Sequence, residues 1–311
     1  MALFLFISSM NSTGLPFPSQ NHSLHLRRIH FFSKMFRAFS LFSRSGKPST
    51  IPFKDYYANW FTTLKNSLLP LLHQSLSSPT SPALLSSHLN LLLHHFLSYY
   101  DSLDLAVTND FNNLPYLLYP SWRNSLEKPF LFLGDLHPYI FTNLLRSFLD
   151  KENNYDDDFE NRVRSVVLDS PWQATMSWKD PSESLIIKIE QIERGLRLMV
   201  PDLVDRMKRA QVGFVRRVAE DWVSYKGKKE KIEVGELMKV EMEELVSVFM
   251  DANRLRRSII SEIVGALSIY QGALFLEALA QFLIGFKDPV FLREFERCKT
   301  PINEEVRSNG F

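Results

Sequence analysis

Cysteine is almost absent: Cys298 is the only one in 311 residues. No disulfide forms within such a chain, which fits a reducing compartment. Glycine is scarce, at 11, and β-branched residues seldom alternate with polar ones, so little of the chain reads as strand. No run of eighteen consecutive apolar residues occurs, and a bilayer-spanning helix needs about that many. Neither sign of charge prevails. The net charge is +1, so global electrostatics favour neither nucleic acid nor an anionic membrane. All eight histidines lie at or before His137, and His94 and His95, adjacent on a helix, point to different faces. The HExxH, CxxC, GxGxxG, P-loop and GxSxG patterns are missing. No catalytic, cofactor-binding or metal-ligating set is readable, and no cofactor is expected.

Acids are also missing from the start, where the first is Asp55. Residues 1–50 hold ten Ser with Arg27, Arg28, Lys34, Arg37 and Arg44, the composition of a transit peptide. The apolar run Leu3 to Ile7 is short and no basic residue precedes it, unlike a secretory signal. A gene model that begins too early gives the same appearance, with Met35 as the alternative start. The reading adopted is a disordered, Ser-rich basic segment over 1–50 without targeting. A single helical domain follows over 51–298, and a disordered tail over 299–311.

What is abundant favours helix: Leu, Glu, Arg and Lys. Phe53, Tyr57, Trp60, Leu64, Leu68 and Leu71 or Leu72 form one stripe, with Pro70 kinking its end. Ser77 to Pro82 reads as a turn. A second helix runs from Leu84 to about Leu105 on Leu89, Leu92, Leu93, Phe96 and Tyr100. Glu152 to Asp158 reads as a solvated acidic loop without calcium-site spacing. A Trp-bearing connection, Pro171 to Gln173 and Trp178 to Ser182, follows it. From Leu185 to Trp222 apolar residues step by threes and fours for about ten turns. A break or kink is expected near Val200, with Pro201 opening the next segment. Lys226 to Lys231 is an exposed basic turn, and Gly227 ends the long helix before it. One last long helix is expected from Gly235 to Phe286, lined by Gly265, Ala266, Gly272, Ala273, Ala278 and Ala280. Small residues admit close neighbours, which puts this helix at the centre of the bundle. Asp288-Pro289 stops it, and a short helix ends near Cys298. The fold class is all-α: an elongated multi-helix bundle of long amphipathic helices.

The stretch from Pro120 to Asp150 organises the rest. Trp122, Leu126, Phe130 and Leu133 share one helical face. Gly134 closes the aromatic block Phe130-Leu131-Phe132-Leu133, and Asp135 is placed to cap the next helix. The prediction is two helical pieces joined at a Gly-dependent corner. Trp122, Phe130, Phe132 and Gly134 are its structural hub. Asp251, Asn253, Arg254, Arg256 and Arg257 interrupt an apolar helix. Arginine seldom enters a core unpaired, so they are expected to pair internally with acids such as Glu190 or Glu193. The other reading makes Arg254, Arg256 and Arg257, with Lys228 and Lys229 of the basic turn, a partner-contact set.

Phe53 to Leu72, Tyr99-Tyr100-Asp101, Pro120-Ser121-Trp122, Pro129 to Gly134, Gln191-Ile192-Glu193 and Asp251 to Arg256 resemble, in order and spacing, the plant Delay of Germination domain. That domain also forms the C-terminal part of TGA-type bZIP transcription factors. The resemblance covers about residues 50 to 290. Ser121 to Tyr139, Thr142 to Phe148, Trp178 to Glu183, Ile189 to Met207, Lys239 to Arg256 and Phe275 to Asp288 resemble the branch that acts in pollen-aperture formation. In that branch the chain begins close to the Pro52-Phe53-Lys54-Asp55 element, so residues 1–50 depart from the pattern.

The resemblance implies a non-enzymatic interaction protein that marks plasma-membrane domains in developing pollen, where exine is not deposited. Its partners would be other proteins at the plasma membrane, with self-association open. It would be cytoplasmic, and its membrane contact peripheral, without a transmembrane helix. The alternative is a nuclear transcriptional co-regulator that contacts bZIP factors. Residues 1–50 hold no basic region and no heptads, so direct DNA contact is not expected. Haem binding, attributed to part of the family through histidines, is not carried over, because no histidine follows His137.

Overall fold

A computed structural model of the chain describes residues 52–77, 81–149, 177–178, 181–224 and 234–297. The expectations for residues 1–50, Ser78 to Thr80, Glu152 to Asp158, Pro171 to Gln173, Lys226 to Lys231, Cys298 and the tail lie outside them.

The fold is all-α and multi-helical, as the composition predicts, with one two-stranded hairpin. Helix α1 (Phe53–Thr63) buries Tyr57 and Trp60. A π-helical turn (Leu64–Leu68) joins it to α2 (Leu69–Ser77). The Leu69 amide donates five residues back, to Leu64. That wider turn sits directly before Pro70, whose ring would otherwise press on the carbonyl of Asn66. Helix α3 (Pro82–Asn109) starts at Ser81, whose hydroxyl accepts from the Ala83 amide at 3.3 Å. It buries Leu85, Leu89, Leu92, Phe96, Tyr99, Tyr100, Leu103 and Val107. A 3₁₀ turn (Phe111–Asn113) and the short α4 (Leu114–Leu118) lead to the predicted hub.

Beyond the hub lie α5 (Tyr139–Leu149), α6 (Glu183–Ser224), α7 (Val234–Ala266), α8 (Ile269–Gly285) and α9 (Pro289–Arg297). Helix α6 runs through Pro201 without the expected break. Proline removes one amide from the ladder, and burial of Leu196, Val200 and Leu203 holds the two halves together. Helices α6 and α7 lie antiparallel, laced by Lys188–Glu262 at 2.8 Å, Arg206–Asp251 at 2.7 Å and Arg217–Glu241 at 2.8 Å.

The single helix expected from Gly235 to Phe286 is two. It stops at Ala266, and Ser268 caps a new start with a reciprocal capping box. The Ser268 hydroxyl accepts from the Gln271 amide at 3.3 Å, and the Gln271 side chain accepts from the Ser268 amide at 3.0 Å. The Ser-x-x-Gln signature was present in the sequence, but the uninterrupted apolar pattern masked it. The central position belongs to α8, which buries Ala273, Phe275, Leu276, Leu279 and Ala280 and packs against α2, α3, α5 and α7. A Cβ at Gly272 would make an ordinary contact with Leu89 of α3, at 3.4 Å, and one at Gly265 would meet nothing within 4 Å. One cluster of buried side chains runs from Tyr57 to Leu283.

Ser268→Ala should lower unfolding stability by about 1 kcal/mol, the usual loss of an N-cap. A denaturant titration that leaves the midpoint unchanged would show that the α7–α8 break does not depend on this box.

Candidate functional site

The hub is a corner of turns, not two helices. Asn124 accepts the amides of Leu126 and Glu127 on its side-chain oxygen, both at 3.0 Å. This local bond competes with helix, so Trp122 and Leu126 stand in turns. Pro129 lies in a 3₁₀ turn (Lys128–Phe130). Strand β1 (Leu131–Phe132) pairs antiparallel with β2 (Asp135–Leu136), in the register Leu131 to Leu136 and Phe132 to Asp135. The loop between them is Leu133 at φ 47 and Gly134 at φ 90. Two positive φ values are what a two-residue hairpin of right-handed twist demands. Gly134 has a second reason to be glycine. A Cβ there would meet the Leu117 carbonyl oxygen at 2.4 Å and Phe249 at 3.0 Å.

The hub aromatics surround this corner and are half-buried. Trp122 packs on Phe53 and Tyr57, at ring centroids of 5.3 and 6.0 Å. Phe130 contacts Phe286 at 5.3 Å, and Phe132 contacts His137 at 4.9 Å.

Asp135 is not a helix cap. It lies in β2, 1% exposed, at the centre of a buried charge cluster. One carboxylate oxygen accepts from Arg123 at 2.6 Å and from the Tyr99 hydroxyl at 2.7 Å. The other accepts from the Leu136 amide at 2.7 Å and the Tyr100 hydroxyl at 3.4 Å. Arg123 also donates to Glu127 at 3.0 Å, and Glu127 is closed off by Lys287 at 3.2 Å and the Asn124 amide at 2.7 Å. Lys287 reaches the Trp122 carbonyl at 2.8 Å, and Asn124 the Phe286 carbonyl at 2.7 Å. The far end of α8 is thereby tied to the turn before the hairpin.

Arg256 of α7 is the largest fully buried side chain among the described residues. Its guanidinium donates to the Leu136 carbonyl at 2.7 Å, the Asp135 carbonyl at 3.3 Å, the Phe132 carbonyl and the Asn253 side-chain oxygen at 2.8 Å. Three of these are backbone oxygens of the hairpin, so the planar fork of Arg256 holds both strands at once. Asn253 passes the contact on to Asp104 of α3 at 2.8 Å. Arg257 donates to Asp104 at 2.7 Å and Asp101 at 2.9 Å.

The electrostatics follow from burial. Desolvation alone would raise the Asp135 carboxyl, but Arg123 and Arg256, with the hydroxyl and amide donors, outweigh it and hold it below the usual carboxylate range. Burial pushes the Tyr99 and Tyr100 hydroxyls up, and the Asp135 charge adds to the shift. Burial lowers Arg256, against the pull of Asp135. His137, half-buried near Arg256, is pushed down by desolvation to about 4 and stays neutral at physiological pH. Both Asp135 oxygens are occupied by donors, so the cluster is built to hold strands and helix ends in place. Among the described residues no group of His, Cys, Asp and Glu is placed to hold a metal ion.

The arginines of α7 therefore pair internally, but not with the acids expected. Glu193 binds Arg146 of α5 at 2.8 Å. Arg256 turns to backbone carbonyls, Arg257 to α3, and Arg254, 72% exposed, to Asp251 one turn back at 3.0 Å. Lys228 and Lys229 lie outside the described residues. Sequence reasoning missed Arg123, Glu127 and Tyr99. Arg123 and Glu127 are an oppositely charged pair four apart, a signal that was available. Asn253 was singled out with the arginines, but nothing local pointed to its partner Asp104, 149 residues away.

This corner and its supports lie largely within a known domain: the model of the family described as seed dormancy control matches residues 57–147. That is the Delay of Germination class of helical proteins. The chain is 55% identical over 274 residues to Protein INAPERTURATE POLLEN1 of Arabidopsis thaliana, across 85% of this chain and 99% of that protein. It is 34% identical over 256 residues to the Protein INAPERTURATE POLLEN 1 homolog of Oryza sativa subsp. japonica, across 80% of this chain and 90% of the relative. The chain belongs to this inaperturate-pollen family of Delay of Germination proteins.

Asp135→Asn should cost about 3–5 kcal/mol at neutral pH, because it removes one of two anions from a buried cluster and leaves Arg123 with Glu127 alone and Arg256 without a nearby carboxylate. The folded carboxyl sits below its unfolded value of about 3.9. The advantage over the variant is therefore present above that value and disappears as pH falls through the lower, folded one. Chemical unfolding of both proteins from pH 7 down to pH 2 checks the sign.

Arg256→Lys should destabilise nearly as much as Arg256→Met, since an ammonium is a point charge and cannot span both strands. A fully stable lysine variant would show that charge alone matters at this site. Gly134→Ala combines a left-handed backbone with the clash on Leu117, and a loss of about 3 kcal/mol is expected in the same assay.

Proposed function

We propose that the chain is a pollen-aperture factor. In this reading it is a non-enzymatic helical module that gathers partner proteins at plasma-membrane domains of developing pollen, where exine is not deposited. The observation that carries the reading is the 55% identity along 99% of Protein INAPERTURATE POLLEN1. The geometry of the corner supports it. Both carboxylates of the corner, Asp135 and Glu127, are taken up by donors within the protein. What such a module offers other molecules is its outer surface, held in a fixed shape. No single helix among the described residues is long and apolar enough to cross a membrane. The membrane contact we propose is accordingly peripheral, through partners or headgroups.

A fluorescent fusion, expressed in Arabidopsis plants that lack the relative, tests this. The expected outcome is restored apertures and signal in cortical patches of the microspore tetrad. A signal confined to the nucleus, with apertures still missing, would overturn the reading in favour of the transcriptional co-regulator.

A further inference from the structure

The connector between α3 and the hairpin carries an unusual surface. Four large exposed side chains fall within fifteen residues: Leu105 at 60%, Phe111 at 50%, Tyr116 at 58% and Tyr119 at 48%. Among the described residues the exposed large aromatics are these three and Phe295 of α9. Scattered apolar residues on a surface are ordinary, but clustered rings are the chemistry of binding hot spots.

These rings are not frayed loop. Helix α4 buries Leu114 and Leu117 at 1% and 2% exposure and thereby turns Tyr116 outward. The Leu117 carbonyl lies against Gly134, where any larger residue would collide with it. Asn113 ties the connector back to the Ala106 carbonyl at 2.9 Å, and Asp110 accepts the Asn112 amide at 3.0 Å. The rings are mounted on the hairpin corner that Arg256 clamps. Rings already held in place lose little freedom when a partner binds.

The charge around them has one sign. From Phe96 to Trp122 the chain contains Asp101, Asp104 and Asp110 and no Lys, Arg or His. Among the described residues, the ion pairs to this segment come from Arg257, to Asp101 and Asp104, which sets three carboxylates against one guanidinium. Arg254, on the next turn of α7, leans back along its own helix to Asp251, which it shares with Arg206. An anionic bilayer would be repelled by this rim, and so would the same rim of a second copy. Electron-rich ring faces beside carboxylates suit Lys and Arg side chains.

We propose that this rim, Leu105, Asp110, Phe111, Tyr116 and Tyr119, docks a cationic, aromatic-bearing segment of a partner protein. The proposal rests on the reading of the chain as an interaction module, and names the surface and partner chemistry that the reading leaves open.

The test is fluorescence anisotropy with the full chain and two labelled twelve-residue peptides, one alternating Arg with Phe and one alternating Glu with Phe. The cationic peptide should bind and the acidic one should not. Phe111→Ser with Tyr116→Ser should weaken binding by about tenfold or more, as loss of aromatic anchors does. Asp110→Asn keeps the side-chain oxygen that accepts the Asn112 amide and removes only the charge. It should weaken binding less, and its effect should vanish at high salt. All three positions are exposed, so melting temperatures should stay at the wild-type value. Equal binding of the cationic peptide by the aromatic double variant and the wild type overturns the proposal. So does binding of the acidic peptide, or a loss in the double variant of binding to phosphatidylserine vesicles or of self-association. In the tetrads, a wild-type fusion that restores apertures alongside a double variant that also restores them would sink the rim and leave the pollen reading standing. Failure of the wild-type fusion would sink the reading itself.

Discussion

A guanidinium with almost no access to water is the constraint on which this molecule is built. Moving an isolated charge out of water is among the most expensive steps in folding, of the order of several kcal/mol even after relaxation. Arg256 is tolerated because its donors meet backbone oxygens of the hairpin and the amide oxygen of Asn253, with the Asp135 charge close enough to act on it. Around the corner the buried and half-buried charges are Arg123, Arg256 and Lys287 against Asp135 and Glu127. Three cations face two anions, and carbonyl dipoles absorb the difference. The hairpin has only two residues per strand, far too short to persist alone. It exists because the arginine needs its carbonyls and the carbonyls need a donor.

Mutual dependence joins parts of the chain that look separable. The seed dormancy control span ends at residue 147, yet the side chain that braces its hairpin comes from α7. Lys287, just past α8, seals the other side by binding Glu127. Helix α8 lies buried between them, packed on α2, α3, α5 and α7. The matched span is therefore the larger part of a site and not a complete one. The rest arrives from helices that pack through periodic apolar faces and carry their polar cargo at a few positions.

Much of the framework was readable in advance, and the failures share a cause. Periodicity located the helices because burial of one face repeats every three or four residues, and it did so over Leu185 to Trp222 and along α3. It misled at Trp122, Leu126, Phe130 and Leu133, where the same spacing arises from an Asn124 side-chain turn followed by a 3₁₀ turn. It misled again at Ser268, where a break is set by a two-residue exchange of hydrogen bonds inside an unbroken apolar pattern. At Pro201 a local rule was overruled by packing on both sides. Gly134 was legible as a corner. That Asp135 sits at the heart of the charge cluster, rather than at a helix cap, was not. Its partners lie 12 to 36 residues away, and nothing local distinguishes the two roles of an aspartate.

The long spans between partners have a consequence for how the protein comes into being. Arg256 meets the hairpin across 120 residues, and Asn124 meets Phe286 across 162. Contacts of such separation form late, because the entropy of closing the loop must be met before the contact contributes. During synthesis the segment with Arg123, Glu127 and Asp135 leaves the ribosome well before α7 and α8 exist. For that interval its ionic groups remain hydrated, and the apolar faces of α1 to α5 lack their cover. Native shape in this family is a property of the nearly complete chain, and a nascent or prematurely terminated product has no way to display the finished surface.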